Sequence, residues 1–178
     1  CNIMGISQAQ EGRLREALKI LGETPACVLY VVDSYGALFP ERAERLTEVF
    51  LEACERSGKH VGIHAHNNLQ LAFANTILAH QRGAAWMDGT YSSMGRGAGN
   101  CGMELLLGYL EQTGEEGYCL EPAIPFLDSY MRGLREKGTV WGYDMQYLMT
   151  GLLNQHPRKA IAFTKTGRTD HEAFYREV

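Results

Sequence analysis

Hydrophobic positions along the chain follow two periods in turn. "CNIMGIS" is a short apolar run that predicts a strand, and "EGRLREALKILGE" sets Leu14, Ala17, Leu18 and Leu21 on one helical face. "ACVLYVVDS" is a continuous β-branched and aromatic run, the composition of a strand buried on both faces of a parallel sheet. In "FPERAERLTEVFLEACERSGK", Pro40 suits the first helical position, Ala43, Leu46, Val49, Phe50 and Ala53 mark a buried stripe, and Gly58 supplies the stop. "HVGIHAH" predicts a third strand and "LQLAFANTILAHQRG" a third helix closed by Gly83. "AAWMDGTYS" then predicts a fourth strand, ahead of a glycine-dense loop and the helix "MELLLGYLEQTG".

Four strand–helix units in series imply an α/β fold with a parallel sheet and right-handed crossovers, either doubly wound or barrel-like. Beyond Gly117 the pattern changes: "EPAIPFLDSYMRGLREKG", "WGYDMQYLMTGLLNQ" and "DHEAFYREV" predict helices with no strand between them. A (β/α)₈ TIM barrel takes about 250 residues, so four units are half of one. Four parallel strands left open would expose two edges. The chain is therefore expected to be a piece of a longer protein, a half completed by another chain, or a small open sheet. It starts without methionine inside an apolar segment, and a preceding segment is expected.

Composition narrows the functional classes. A net charge of −4 and the absence of any lysine or arginine block exclude an electrostatic nucleic-acid binder. No apolar run approaches the roughly 18 residues of a membrane span, and the first residues lack a signal peptide's pattern, so no membrane partner and a cytoplasmic location are expected. The five cysteines form no C-x-x-C pair, which points to reduced thiols rather than a disulfide framework or a thiolate zinc site.

Candidate chemistry gathers at predicted strand ends. Side chains i and i+2 of a strand share a face, so His64 and His66 present two imidazoles to one space. They fall at the C-terminal end of their strand, where parallel α/β folds carry their chemistry. Two neutral imidazoles suit a divalent metal, though two ligands are too few; the other reading is a hydrogen-bonded pair without metal. The second strand ends in Asp33-Ser34-Tyr35-Gly36, which could line the same rim or serve only as a turn. In "GTYSSMGRGAGN", Gly95, Gly97 and Gly99 permit close approach of a ligand, Asn100 offers an amide oxygen, and Arg96 suits a carboxylate or phosphate.

"HAHNNLQLAFAN" followed by "MDGTYSSMGRGAGN" resembles the two signature segments of the metal-dependent pyruvate aldolase and acyl-CoA lyase or synthase (HMGL-like) superfamily, and "VVDSYGAL" resembles its aldolase branch, that of 4-hydroxy-2-oxovalerate aldolase. The resemblance covers about residues 1 to 113 and implies a (β/α)₈ barrel of which this chain holds the last four units, with 114–178 a helical extension packed on it. It implies a divalent metal, Mn2+ or Mg2+ first and Zn2+ or Co2+ as further options, held by His64 and His66 with Asn100 as an added ligand. It further implies cleavage or formation of a carbon–carbon bond on a pyruvate-like 2-oxo acid through an enolate held on the metal. Asp33, Ser34 and Arg96 would then contact substrate, and Tyr143 and Tyr147, in "WGYDMQY", match the aldolases' C-terminal tyrosine region.

Departures from the family pattern also count. The family's first strand carries an aspartate ligand and an arginine, and nothing here matches that segment, so an N-terminal half-barrel in cis or in trans is an expected partner, with a homo-oligomer as one form. The lyases' catalytic cysteine precedes the asparagine, whereas Cys101 follows it. The synthases' Gly-Glu-Arg loop is replaced by "GRGAGN", nearer the aldolases. The rival readings are an acyl-CoA-dependent synthase of the isopropylmalate or citramalate type, a non-catalytic half-barrel subunit, and a phosphate-binding module. His156, beside Asn154 and Arg158, is expected only to mark a helix end broken by Pro157.

Overall fold

The computed structural model describes all residues, 1 to 178. β1 (Asn2–Ile3), α1 (Glu11–Gly22), β2 (Val28–Asp33), α2 (Pro40–Ser57), β3 (His60–Ala65), α3 (Ala72–Arg82), β4 (Trp86–Met87) and α4 (Met103–Thr113) follow in sequence. The four strands form one sheet in the order β1-β2-β3-β4, every pair parallel. A doubly wound sheet reverses its strand order at a switch point, and this one does not. It is a partial barrel: each strand lies beside its predecessor.

Helix α2 begins as its sequence dictates, with Pro40 in the first turn, and ends on Gly58 in the left-handed region at φ 65°. Its stripe of Ala43, Leu46, Val49 and Phe50 packs with Leu29 and Val31 of β2, Val61 and Ile63 of β3, and Leu14 and Leu18 of α1, in one buried cluster. Full burial of side chains of this size stabilises by about 1.5–3 kcal/mol each. The strand residues of opposite parity, Tyr30, Gly62 and His64, face away from that cluster. There the Tyr30 ring crosses Gly62, whose added Cβ would lie 2.6 Å from Tyr30 Cε1. No other residue type fits under the ring.

Strands β1 and β4 are two residues each, shorter than their apolar runs suggest. Each is an edge that pairs with one neighbour only, Asn2 with Tyr30 and Trp86 with Gly62. Half of their ladder bonds have no partner, and the chain leaves the sheet early.

After Gly114 no strand occurs. The helix expected over "EPAIPFLDSYMRGLREKG" is broken into a 3₁₀ turn at Glu121–Ala123, α5 (Ile124–Phe126), a π turn at Leu127–Met131 and α6 (Arg132–Glu136). Ser129 Oγ donates to the Pro125 carbonyl at 2.7 Å, competing with the backbone donors that would continue an α-helix. Then come α7 (Met145–Leu152), α8 (Arg158–Lys165) and α9 (His171–Glu177). Tyr147, Ala160, Phe163 and Phe174 from these helices enclose Ala98 of the glycine loop, which ties the tail to the rim of the sheet.

Candidate metal and substrate site

His64 and His66 leave the end of β3 on the same side, ring centroids 5.1 Å apart and planes at 72°. Each has its Nδ1 engaged. His64 Nδ1 lies 3.0 Å from Asp88 Oδ2, and His66 Nδ1 lies 3.1 Å from the Asp33 carbonyl. A carboxylate and a carbonyl can only accept, so in the neutral rings both Nδ1 atoms carry the proton and both Nε2 atoms keep a lone pair. That is the tautomer a metal-ligating histidine requires, with its second nitrogen held by an acceptor.

Asp88 was not among the sequence candidates. Strand pairing sets Trp86 beside Gly62, and two residues further along each strand Asp88 arrives beside His64. Asp88→Asn removes the charge that orients and polarises His64, and is expected to weaken Mn2+ binding about 10- to 100-fold, read by isothermal titration calorimetry. Unchanged affinity would show that the contact is incidental.

Asn100 pairs through its backbone with His66, and its side chain lines the same small cleft as His64 and Asp88. Its amide nitrogen donates to the Met94 carbonyl at 3.2 Å, while its Oδ1 is buried with no hydrogen-bond partner. An orphaned buried oxygen costs about 1–3 kcal/mol, and an acceptor in a cleft with an imidazole fits a cation. The chain supplies no group of three or more His, Cys, Asp or Glu side chains placed for a metal ion.

Arg96 Nη2 donates to the Ser34 carbonyl at 2.8 Å and lies 3.5 Å from His66 Nε2. Ser34 Oγ accepts from Gly5 N at 2.8 Å. Ser34, Tyr35, His64, His66, Arg96 and His156 line a cleft of about 310 Å³. Burial, the Arg96 guanidinium and His64 together hold His66 down at about 4 from an ordinary 6.5. An unfolded chain would take up that proton near 6.5 and the native one only near 4, so in chelator the native state loses stability as pH falls through this window. Urea denaturation at pH 7 and pH 5 is expected to show this loss, and His66→Gln to reduce it.

Asp33 is a correction to the expected pocket lining. Its carboxylate shares the parity of Leu29 and Val31, points away from the cleft, and accepts from Ala37 N at 3.0 Å and Leu38 N at 3.1 Å. Burial pushes its carboxyl up while those donors pull it down, with a net rise. It caps the β2–α2 loop, and only its backbone carbonyl reaches the site. Nor are Tyr143 and Tyr147 brought into the cleft. Tyr143 is 56% exposed, while Tyr147 is buried with its ring against Gly97, closing the glycine loop from outside. Both positions depend on how the tail docks, which local pattern does not encode. Cys101 is buried and pushed up to about 11 by burial, unsuited to act as a thiolate. A larger cleft of about 640 Å³ lies between α1 and α2, behind the sheet, and holds no histidine.

Parallel strands in consecutive order, with paired imidazoles and an arginine gathered at their C-terminal ends, define the class: an α/β fold of the barrel type. The chain belongs to the HMGL-like family, whose model matches residues 3–127. It is 42% identical over 112 residues to a 4-hydroxy-2-oxovalerate aldolase of Brevibacillus brevis, covering 63% of this chain and 32% of that protein. Over 87 residues it is 46% identical to an oxaloacetate decarboxylase of Mycobacterium tuberculosis, covering 49% of this chain and 25% of that protein. Among solved structures, the N-terminal domain of a candidate aldolase from Bacteroides vulgatus superposes with a TM-score of 0.76 at 28% identity, covering 92% of this chain and 52% of the other. The carboxyl transferase domain of Rhizobium etli pyruvate carboxylase, at 16% identity, TM-score 0.67 and coverage of 94% and 29%, shares the fold. The chain thus spans about a third of the length of the curated aldolase it matches.

Proposed function

We propose that this chain carries the metal-binding part of an aldolase-type site that breaks or forms a carbon–carbon bond on a pyruvate-like 2-oxo acid. The observation that carries the reading is the pair His64 and His66, each with Nδ1 held by an acceptor and a lone pair left on Nε2, beside Asn100, which shares a cleft with His64 and whose Oδ1 has no hydrogen-bond partner. His64, His66 and Asn100 would hold a divalent cation, and their mixed nitrogen and oxygen character suits an ion that accepts both donors, Mn2+ ahead of the purely oxygen-seeking Mg2+. Such a cation supplies Lewis-acid stabilisation of the negative charge that develops as a 2-oxo acid loses a proton. Arg96 and Ser34 at the cleft wall hold the acid's carboxylate. The relatives named as aldolase and decarboxylase support a 2-oxo acid as the substrate class. The remaining electrophilic and ligand groups belong to an N-terminal half-barrel, in cis or in trans, set against the open edges of β1 and β4. The buried, unactivated Cys101 favours this reading over thiol-dependent lyase chemistry.

Hydrogen–deuterium exchange at the pyruvate methyl, followed by proton NMR, tests the reading without knowledge of the second substrate. Manganese-dependent exchange that chelator abolishes is expected. Exchange indifferent to metal would overturn it, as would the absence of exchange once the N-terminal half-barrel is supplied.

A further inference from the structure

The tail contributes one residue to the cleft wall, His156, in the corner between α7 and α8. Asn154 takes a left-handed backbone at φ 50° to turn that corner. Its Nδ2 donates to the Ser7 carbonyl at 3.3 Å, and its own carbonyl accepts from Gln8 Nε2 at 2.7 Å. The corner is thereby fastened to the segment just after β1. His156 then sets its ring edgewise to Tyr35, centroids 5.6 Å apart.

His156 Nδ1 accepts from the backbone N–H of Arg158 at 3.1 Å. A backbone N–H can only donate, so the neutral ring carries its proton on Nε2. This is the opposite tautomer from His64 and His66. Burial and the guanidinium groups of Arg96 and Arg158 hold His156 below its ordinary range, which favours the neutral ring. One cleft is therefore lined by two imidazoles with an Nε2 lone pair, by the Arg96 guanidinium beside His66, and by a third imidazole that carries an Nε2–H.

We infer that His156 is a substrate-contacting residue, its Nε2–H donating to a carboxylate oxygen of the 2-oxo acid alongside Arg96. The inference rests on the reading of the site proposed above. A role limited to capping α8 uses Nδ1 alone and leaves Nε2 idle, and the two roles separate experimentally.

Oxalate, a planar dianion with the shape of a deprotonated 2-oxo acid, is the probe, titrated calorimetrically into the Mn2+-loaded chain. His156→Phe keeps the ring against Tyr35 but removes the donor; it is expected to weaken oxalate at least tenfold and leave Mn2+ affinity in place. His156→Gln, whose amide nitrogen approximates Nε2, is expected to recover most of the loss. In the wild type, long-range ¹H–¹⁵N spectra are expected to show a protonated Nε2 on His156 that shifts on adding oxalate. Equal oxalate affinity in wild type and His156→Phe, or an Nε2 signal indifferent to oxalate, would overturn the inference alone. A wild-type chain that binds Mn2+ but no oxalate would overturn the substrate reading, and this inference with it.

Discussion

Replacing His64 by alanine is expected to lower Mn2+ affinity more than about 100-fold and to abolish metal-dependent exchange of the pyruvate methyl. A change one step removed from a metal typically costs 10–100-fold, and removing a ligand costs more. His64 is one of the two cleft imidazoles that keep a lone pair on Nε2, and the amide oxygen of Asn100 does not replace a nitrogen donor. The fold is expected to survive, because His64 faces the cleft rather than the cluster built on Phe50 and Ile63. A thermal melt within a few degrees of wild type, together with lost binding in an Mn2+ electron paramagnetic resonance titration, is the expected pair of results. Retained tight binding would remove His64 from the site.

Gly99→Ala is the substitution expected to damage the rim most. Gly99 sits at φ 87°, and a Cβ there would lie 2.1 Å from the Ser93 carbonyl oxygen, a backbone atom with no freedom to rotate aside. That carbonyl accepts from Asn100 N at 3.1 Å, and Gly99's own carbonyl accepts from Asn67 N at 2.9 Å. Relieving the overlap therefore shifts Asn100 and the link to the end of β3 together. A loss of about 3–5 kcal/mol is expected from strain combined with broken backbone bonds, read as a lower urea midpoint. Gly58→Ala is the control: φ is also positive, 65°, but nothing lies within 4 Å of the added carbon, and about 1 kcal/mol is expected. Equal losses at the two positions would show that the backbone angle, not the Ser93 contact, governs Gly99.

The parts of this molecule legible in its sequence are those fixed by near neighbours. Pro40 and Gly58 bound α2 as their chemistry requires, and the i, i+2 spacing of His64 and His66 sufficed to place both rings on one side. Asp33 was misplaced because "VLYVVD" is apolar on both parities, so the run conceals which alternate residues face the helices. Ser34, one residue on, falls on the cleft side. Asp88 would have been found had the register of β3 and β4 been known, since that register alone brings it to His64. Tyr143, Tyr147 and His156 depend on the docking of α7 and α8, set by contacts with residues far away in the chain. Tyr147, packed against Gly97, closes the loop from outside the cleft, whereas His156 reaches its wall.

The fastening of the α7–α8 corner to the segment after β1 has a consequence for folding kinetics. Its two hydrogen bonds join residues 146 and 147 positions apart, nearly the whole chain. Strands β1 to β3 and their helices gather contacts from adjacent units, whereas closing so long a loop costs entropy before any contact repays it. The cleft wall bearing His156 is thus a late event, completed after the sheet has formed. During synthesis the strand end bearing His64 and His66 is made while the α7–α8 corner is still to come, so the nascent chain holds one part of the cleft before it gains the other.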